Sequence, residues 1–223
     1  MTQRFSGALK KLLCGLILAG ASMAHAGSYD DFFRAVRQDN PAKIQELLNQ
    51  GFDANTQDEK GQNALCIALS EETLQVAKTL IGWSQTDVNK LNATDESPLM
   101  LAALKGHLDL ADMLVKKGAD INKTGWTPLH YAASGGHVPI IKLLLENDAY
   151  VDAESPNGTT PLMMAAMYGT SAAVNLLLQE GSDAKLKNEQ GLTALQFAQR
   201  GSRPDSVEAI AAFLRSKLPS GQW

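Results

Sequence analysis

Very few side chains in this chain of 223 residues are equipped for chemistry. Beyond residue 26 there is one cysteine, Cys66, and three histidines, His107, His130 and His137. A cysteine beside a histidine could form a thiolate nucleophile, and clustered histidines and cysteines could hold zinc. Glu71-Glu72 could supply paired carboxylates for acid–base work, and Gly135-Gly136 could open a phosphate loop. None of these has the spacing its chemistry demands. No His/Cys spacing resembles a zinc motif, and there is neither a Gly-x-Ser-x-Gly elbow nor a phosphate-loop signature. The residues argue against an enzyme, a metal and a cofactor. A thiol-dependent enzyme built on Cys66 is the rival reading.

In place of catalytic residues the chain has a period. Residues 125–133 read Gly-Trp-Thr-Pro-Leu-His-Tyr-Ala-Ala, and 158–166 read Gly-Thr-Thr-Pro-Leu-Met-Met-Ala-Ala. Degraded copies surround Asn63-Ala-Leu, Ser97-Pro-Leu and Thr193-Ala-Leu. Taking the leucine as anchor gives Phe32, Leu65, Leu99, Leu129, Leu162 and Leu195, spaced by 33, 34, 30, 33 and 33. Alanine stands three residues after every anchor, at 35, 68, 102, 132, 165 and 198. Two residues before each anchor stands Asp30, Asn63, Ser97, Thr127, Thr160 or Thr193, all good helix N-caps. Pro98, Pro128 and Pro161 then take the first helical position, where a missing N–H costs nothing.

A second helix in each unit is marked by an apolar pair, from Leu47-Leu48 to Leu177-Leu178. Gly51, Gly118 and Gly181 close it, with Asn147-Asp148 substituting in the fourth unit. His107 and His137 stand eight residues after their anchors, so loop-bracing hydrogen bonds explain them better than a metal. Cys66 occupies in its unit the place of His130, as a small filler. Gly135-Gly136 falls at the turn between helices, and Glu71-Glu72 at a solvated helix end.

The Thr-Pro-Leu-His-x-Ala-Ala phrase, complete at 127–133, resembles the signature of ankyrin repeats. The resemblance implies a helical solenoid of about six helix-turn-helix units with short β-hairpin fingers. The units run over 28–57, 59–91, 93–122, 124–155, 157–188 and 190–220. The outer two read as caps: Phe32-Phe33 replace Pro-Leu, and the last helix, after Arg203-Pro204, arrives late. No single unit can bury its apolar face alone, so stability is shared between neighbours.

Residues 1–26 read as a secretory signal, with Arg4, Lys10 and Lys11 before an apolar stretch and Ala24-His25-Ala26 as the cleavage site. Cleavage after Ala26 would deliver the chain to a bacterial periplasm; an uncleaved anchor would make it a structural envelope protein. Without that segment 17 basic residues face 24 acidic ones, a net charge of −7 that speaks against nucleic acid.

The resemblance implies a monomeric protein that binds another protein through its fingers and first helices. Exported bacterial ankyrin proteins of this kind are associated with supporting stress-defence enzymes or neutralising toxins. Positions that vary between units put Leu104, Trp126, Met167 and Tyr168 in one apolar patch, rimmed by Glu71, Lys105 and Arg200. The spacing of 30 shortens one finger and predicts a notch beside Trp126. Trp83, in the one-residue insertion behind the spacing of 34, is placed to cover a helix end.

Overall fold

The computed structural model describes residues 27–218. The segment read as an export signal lies outside the described residues. Among those described, the chain forms twelve helices, two per unit. In chain order they are α1 over 27–37, α2 Pro41–Asn49, α3 Ala64–Ser70, α4 Leu74–Gly82, α5 Pro98–Lys105 and α6 Leu108–Lys116. They continue with α7 Pro128–Gly135, α8 Val138–Leu145, α9 Pro161–Met167, α10 Ser171–Gln179, α11 Ala194–Arg200 and α12 Pro204–Ser216. From α3 to α11 each first helix packs on the first helix of the next unit, and from α2 to α12 the second helices do the same, giving two parallel rows. No helix among the described residues is long and apolar enough to cross a membrane.

The caps are hydrogen-bonded as their residue types require. The side chains of Asn63, Ser97 and Thr160 accept from the N–H three residues on, at 2.9, 3.2 and 3.4 Å. In α7 and α11 the third helical residue also reaches back: Thr127 N–H donates to His130 Nδ1 at 3.2 Å and Thr193 N–H to Gln196 Oε1 at 2.9 Å. All six alanines three residues after the anchors are buried where first helices meet. A larger side chain there would overpack the contact by about 1–3 kcal/mol. Five anchors are buried, Phe32 of the first unit included, whereas Leu195 of the last unit is half-buried.

Three expectations need correction. Asp30 does not cap α1, since the helix is already formed at residue 27 and Asp30 sits within it. The fingers are not β-hairpins: one isolated bridge, between Gln57 and Asn63, is the only pairing among the described residues. Side chains close the fingertips instead. Asp58 Oδ1 accepts from the N–H groups of Lys60 and Gln62, Asn92 Oδ1 from Thr94 and Glu96, and Asn188 Oδ1 from Gln190 and Leu192. Lastly, α12 does not arrive late. Its cap Arg203 stands eight residues after Leu195, as Thr73, His107, His137 and Thr170 stand after their anchors, and the helix is simply longer.

Two sets of polar contacts tie unit to unit. At the helix turns, His137 Nε2 donates to the Leu104 carbonyl at 2.9 Å and Arg203 to the Tyr168 carbonyl at 3.1 Å. His107 does not repeat this; its Nε2 lies 3.9 Å from the Glu72 carboxylate. At the finger bases an asparagine ladder runs down the stack. Asn55 donates to the Gln85 carbonyl and accepts from Asp87 N–H; Asn89 does so with Gly118 and Asp120, and Asn122 with Asp148 and Tyr150. The fourth rung is Asp152, which accepts from Asp183 N–H at 3.0 Å but has no N–H for the Gly181 carbonyl that register places opposite.

Asp152→Asn should therefore stabilise the fold by about 0.5–1.5 kcal/mol in denaturant titration at neutral pH. Burial pushes the Asp152 carboxyl pKa up, so its charged form is the disfavoured one in the folded chain. The wild type recovers stability as pH falls through that raised value, and the advantage of the asparagine should shrink there. A variant no more stable than wild type at neutral pH would show that the fourth rung needs no amide.

Candidate protein-binding surface

The face made by the first helices and fingers holds a cleft of about 210 Å³ at the middle of the stack. Leu104 of α5, Trp126 of the shortened finger, His130, Tyr131 and Ser134 of α7, and Met164 of α9 line it, so three consecutive units contribute. Each first helix points its residues two and five after the anchor onto this face, because residues three apart share a side. The finger residue three before the anchor closes over them. In the fourth unit these are Tyr131, Ser134 and Trp126.

Two of the predicted patch residues, Leu104 and Trp126, share the cleft. Met167 packs one unit further on, against the turn at Gly201. Tyr168 follows it at the end of α9 and is 56% exposed. Of the rim charges, Glu71 lies 3.7 Å from Arg37, Lys105 lies 3.6 Å from Glu72, and Arg200 is exposed. Tyr131 and Met164 were missing from the expected patch. They stand two residues after their anchors, one helical turn before Ser134 and Met167, and the three-residue spacing is the signal that finds them.

The shortened finger has a simple construction. Elsewhere the ladder residue and the fingertip residue are three apart, as in Asn55 and Asp58 or Asn89 and Asn92. In the third finger the loss of three residues merges both positions on Asn122. It keeps the ladder bonds, to the Asp148 carbonyl at 2.7 Å and from Tyr150 N–H at 2.9 Å. The truncated tip is tied instead by Lys123 Nζ to the Asp95 carboxylate at 2.6 Å. Trp126 follows directly, half-buried, with its ring edge-on to His130 at 5.2 Å.

Burial controls every titratable wall of the cleft. It pushes His130 down to about 4, so the ring is neutral at physiological pH. The neutral form fits its contacts: Nε2 donates to the Thr159 carbonyl at 2.8 Å while Nδ1 accepts from Thr127 N–H. Tyr131 donates its hydroxyl to Glu96 Oε1 at 3.1 Å. Burial, and then the Glu96 carboxylate, hold its pKa well above the ordinary phenol value.

Cys66 lies in α3 with its thiol 4.0 Å from the Lys90 and Glu96 carbonyls, and burial pushes its pKa up to about 12. A nucleophile needs the opposite shift and access. Among the described residues no group of three His, Cys, Asp or Glu could hold a metal ion. A larger recess of about 530 Å³ at the N-terminal end is bordered by Tyr29, Phe33, Arg37 and Asp58. Arg37 there is paired with Asp58 at 3.3 Å.

A stack of helix pairs sharing one continuous core, with function left to an exposed face, defines a repeat scaffold. A family profile described as ankyrin repeats (3 copies) matches residues 32–124, 70–155, 121–188 and 149–217, and the chain belongs to the ankyrin-repeat family. Mouse (Mus musculus) ankyrin repeat and SAM domain-containing protein 6 is 35% identical over 107 residues, 46% of this chain and 12% of the relative. Alpha-latrocrustotoxin-Lt1a of Latrodectus tredecimguttatus is 34% identical over 79 residues, 35% of this chain and 6% of that protein. The chain thus spans a small part of the length of these relatives.

Two solved structures match much more fully. One is a chain of the Bd0816 predatory endopeptidase from Bdellovibrio bacteriovorus in complex with immunity protein Bd3460. It matches at TM-score 0.70 and 28% identity, covering 82% of this chain and 97% of that one. The other is EF0377, an ankyrin repeat protein, at TM-score 0.70 and 27% identity, covering 81% and 96%.

Two outcomes follow from the buried groups. The folded state resists protonating His130 and the unfolded chain does not, so stability should fall as pH drops from about 6.5 towards 4, by up to roughly 3 kcal/mol. His130→Gln, which copies the capping Gln196 of the last unit, should flatten that slope; an unchanged slope assigns the acid sensitivity elsewhere. For Cys66, a thiol reagent at mildly alkaline pH should label the native protein at least about a hundredfold more slowly than the denatured chain. Rapid native labelling would revive the thiol enzyme.

Proposed function

We propose that the protein is an exported bacterial scaffold that binds a partner enzyme on its first-helix face and restrains it, as an immunity protein does. Ankyrin repeats are protein-binding scaffolds, and the observation that carries the reading here is the apolar cleft at mid-stack. Leu104, Trp126, Tyr131 and Met164 come from three units and share no catalytic or metal chemistry. An aromatic and aliphatic centre within a charged rim has the composition of an interface core. The inhibitory reading draws on the fold likeness to the endopeptidase–immunity complex across 97% of the matched chain. Export to the periplasm is supported by the basic start, the apolar stretch and the small-residue site ending at Ala26.

The test is affinity capture from a periplasmic extract with the mature chain as bait, read by mass spectrometry, followed by assay of the captured enzyme. Wild type should retain a partner whose activity falls on binding. The double substitution Trp126→Ser and Tyr168→Ser should weaken retention by at least about tenfold, the scale of an interface hot spot, while thermal unfolding stays cooperative. Undiminished capture would place the interface elsewhere, and an unchanged or enhanced enzyme activity in the complex would replace restraint with support.

A further inference from the structure

One carboxylate beside the cleft is held in place without a counter-charge. Glu96, on the finger before α5, occupies the register position that Trp126 occupies in the next unit, and it is half-buried. Its Oε1 accepts the Tyr131 hydroxyl at 3.1 Å. Its Oε2 accepts from the Asn92 amide at 2.9 Å and the Thr94 hydroxyl at 2.7 Å. All three donors are neutral. A carboxylate can accept about four hydrogen bonds, so three leave room for one more.

The cations nearby are committed elsewhere. Lys123 binds Asp95 at 2.6 Å, Lys105 lies 3.6 Å from Glu72, and Lys90 donates to the Asn55 carbonyl at 2.7 Å. Among the described residues no ion pair reaches Glu96. The cleft it overlooks through Tyr131 is lined by Leu104, Trp126 and Met164, and His130 at its wall is neutral and adds no repulsion.

From this geometry we infer that the cleft receives a basic side chain of the partner protein, arginine above all. Its aliphatic stem would lie between Leu104 and Met164, its guanidinium against the rings of Trp126 and Tyr131, and its charge would meet Glu96. Charge complementarity selects this occupant. An apolar side chain would use the walls and leave Glu96 unpaired, and an acidic one would be repelled. A volume of about 210 Å³ suits one long side chain rather than a small-molecule ligand. Guanidinium groups pack on aromatic faces and donate in a planar fork, which an ammonium group cannot do. The inference rests on the first-helix face being the binding face, and it names what that face reads.

The probes are four acetylated, amidated pentapeptides Gly-Ser-X-Ser-Gly in which X is arginine, citrulline, leucine or glutamate. Binding to the mature chain is followed through the NMR signal of the Trp126 indole. The arginine peptide should shift that signal saturably and bind at least about fivefold more tightly than citrulline, which has the same shape without the charge. Added salt should erode the difference, and Glu96→Gln should abolish it without lowering affinity for citrulline. Tyr131→Phe, which opens Oε1 as a further acceptor and leaves the fingertip bonds of Asn92 and Thr94 in place, should retain the preference, and its loss there would count against Glu96. Leucine or citrulline binding as well as arginine would overturn the inference while leaving the cleft as a docking surface. If no peptide moves the Trp126 signal, both the inference and the cleft as the reading site fall, whereas capture that still depends on Tyr168 would preserve the wider face.

Discussion

A helix pair of about thirty residues carries apolar groups on two sides and can cover neither by itself. Each unit of this protein is folded only because its neighbours supply the other half of its core. That constraint fixes far more than stability. The alanines at 35, 68, 102, 132, 165 and 198 are small because first helices must approach closely, and they are all buried. The anchors between them are large because the space beside that contact must be filled to native density. At mid-stack the constraint leaves a strip uncovered, at positions two and five after the anchor and three before it, whereas Ile67 and Leu101, two after their own anchors, stay in the core. The strip is free to vary, and there the chain places Leu104, Trp126, Tyr131 and Met164.

Stacking also creates a polar problem, since each turn and finger base leaves backbone groups half-covered by the next unit. The asparagines at 55, 89 and 122 solve it with one side chain apiece, giving an N–H and taking one. Their bonds survive in the third finger although it is short. With three residues fewer, Asn122 falls at the ladder and fingertip positions at once and makes the ladder bonds, while Lys123 ties the tip to Asp95. The stack is preserved, and Trp126 is left beside the opening.

The repeat, the caps and the buried alanines are legible in the sequence because each is a residue type at a fixed interval, and six copies average out local noise. The parts that were not legible depend on what lies next to a residue rather than on its own period. Asp30 matches the cap position by count, yet α1 is already helical at 27. The fingers carry turn residues that serve a hairpin or a side-chain-closed loop equally well, and Asp58, Asn92 and Asn188 settle the matter through bonds that composition does not reveal. The cleft was half visible. Leu104 and Trp126 stand at varying positions, but Tyr131 and Met164 sit inside the repeated phrase, where they look like part of the framework.

The framework and the cleft meet in the titratable groups, and burial treats them all alike. His130 caps α7 and is also a wall of the cleft; desolvation takes its pKa to about 4, so the cap and the wall are both uncharged above that. Tyr131 is held in its neutral form by burial and by Glu96, and Cys66, under the same finger, by burial that raises its thiol to about 12. Each shift is the cost of placing an ionisable group in a shared core, and together they keep these three groups uncharged. Between the pKa of His130 and that of a free phenol, none of these three groups changes state. The Tyr131 hydroxyl therefore stays a donor to Glu96 across that range, and the carboxylate beside the opening is held by neutral donors rather than by a cation.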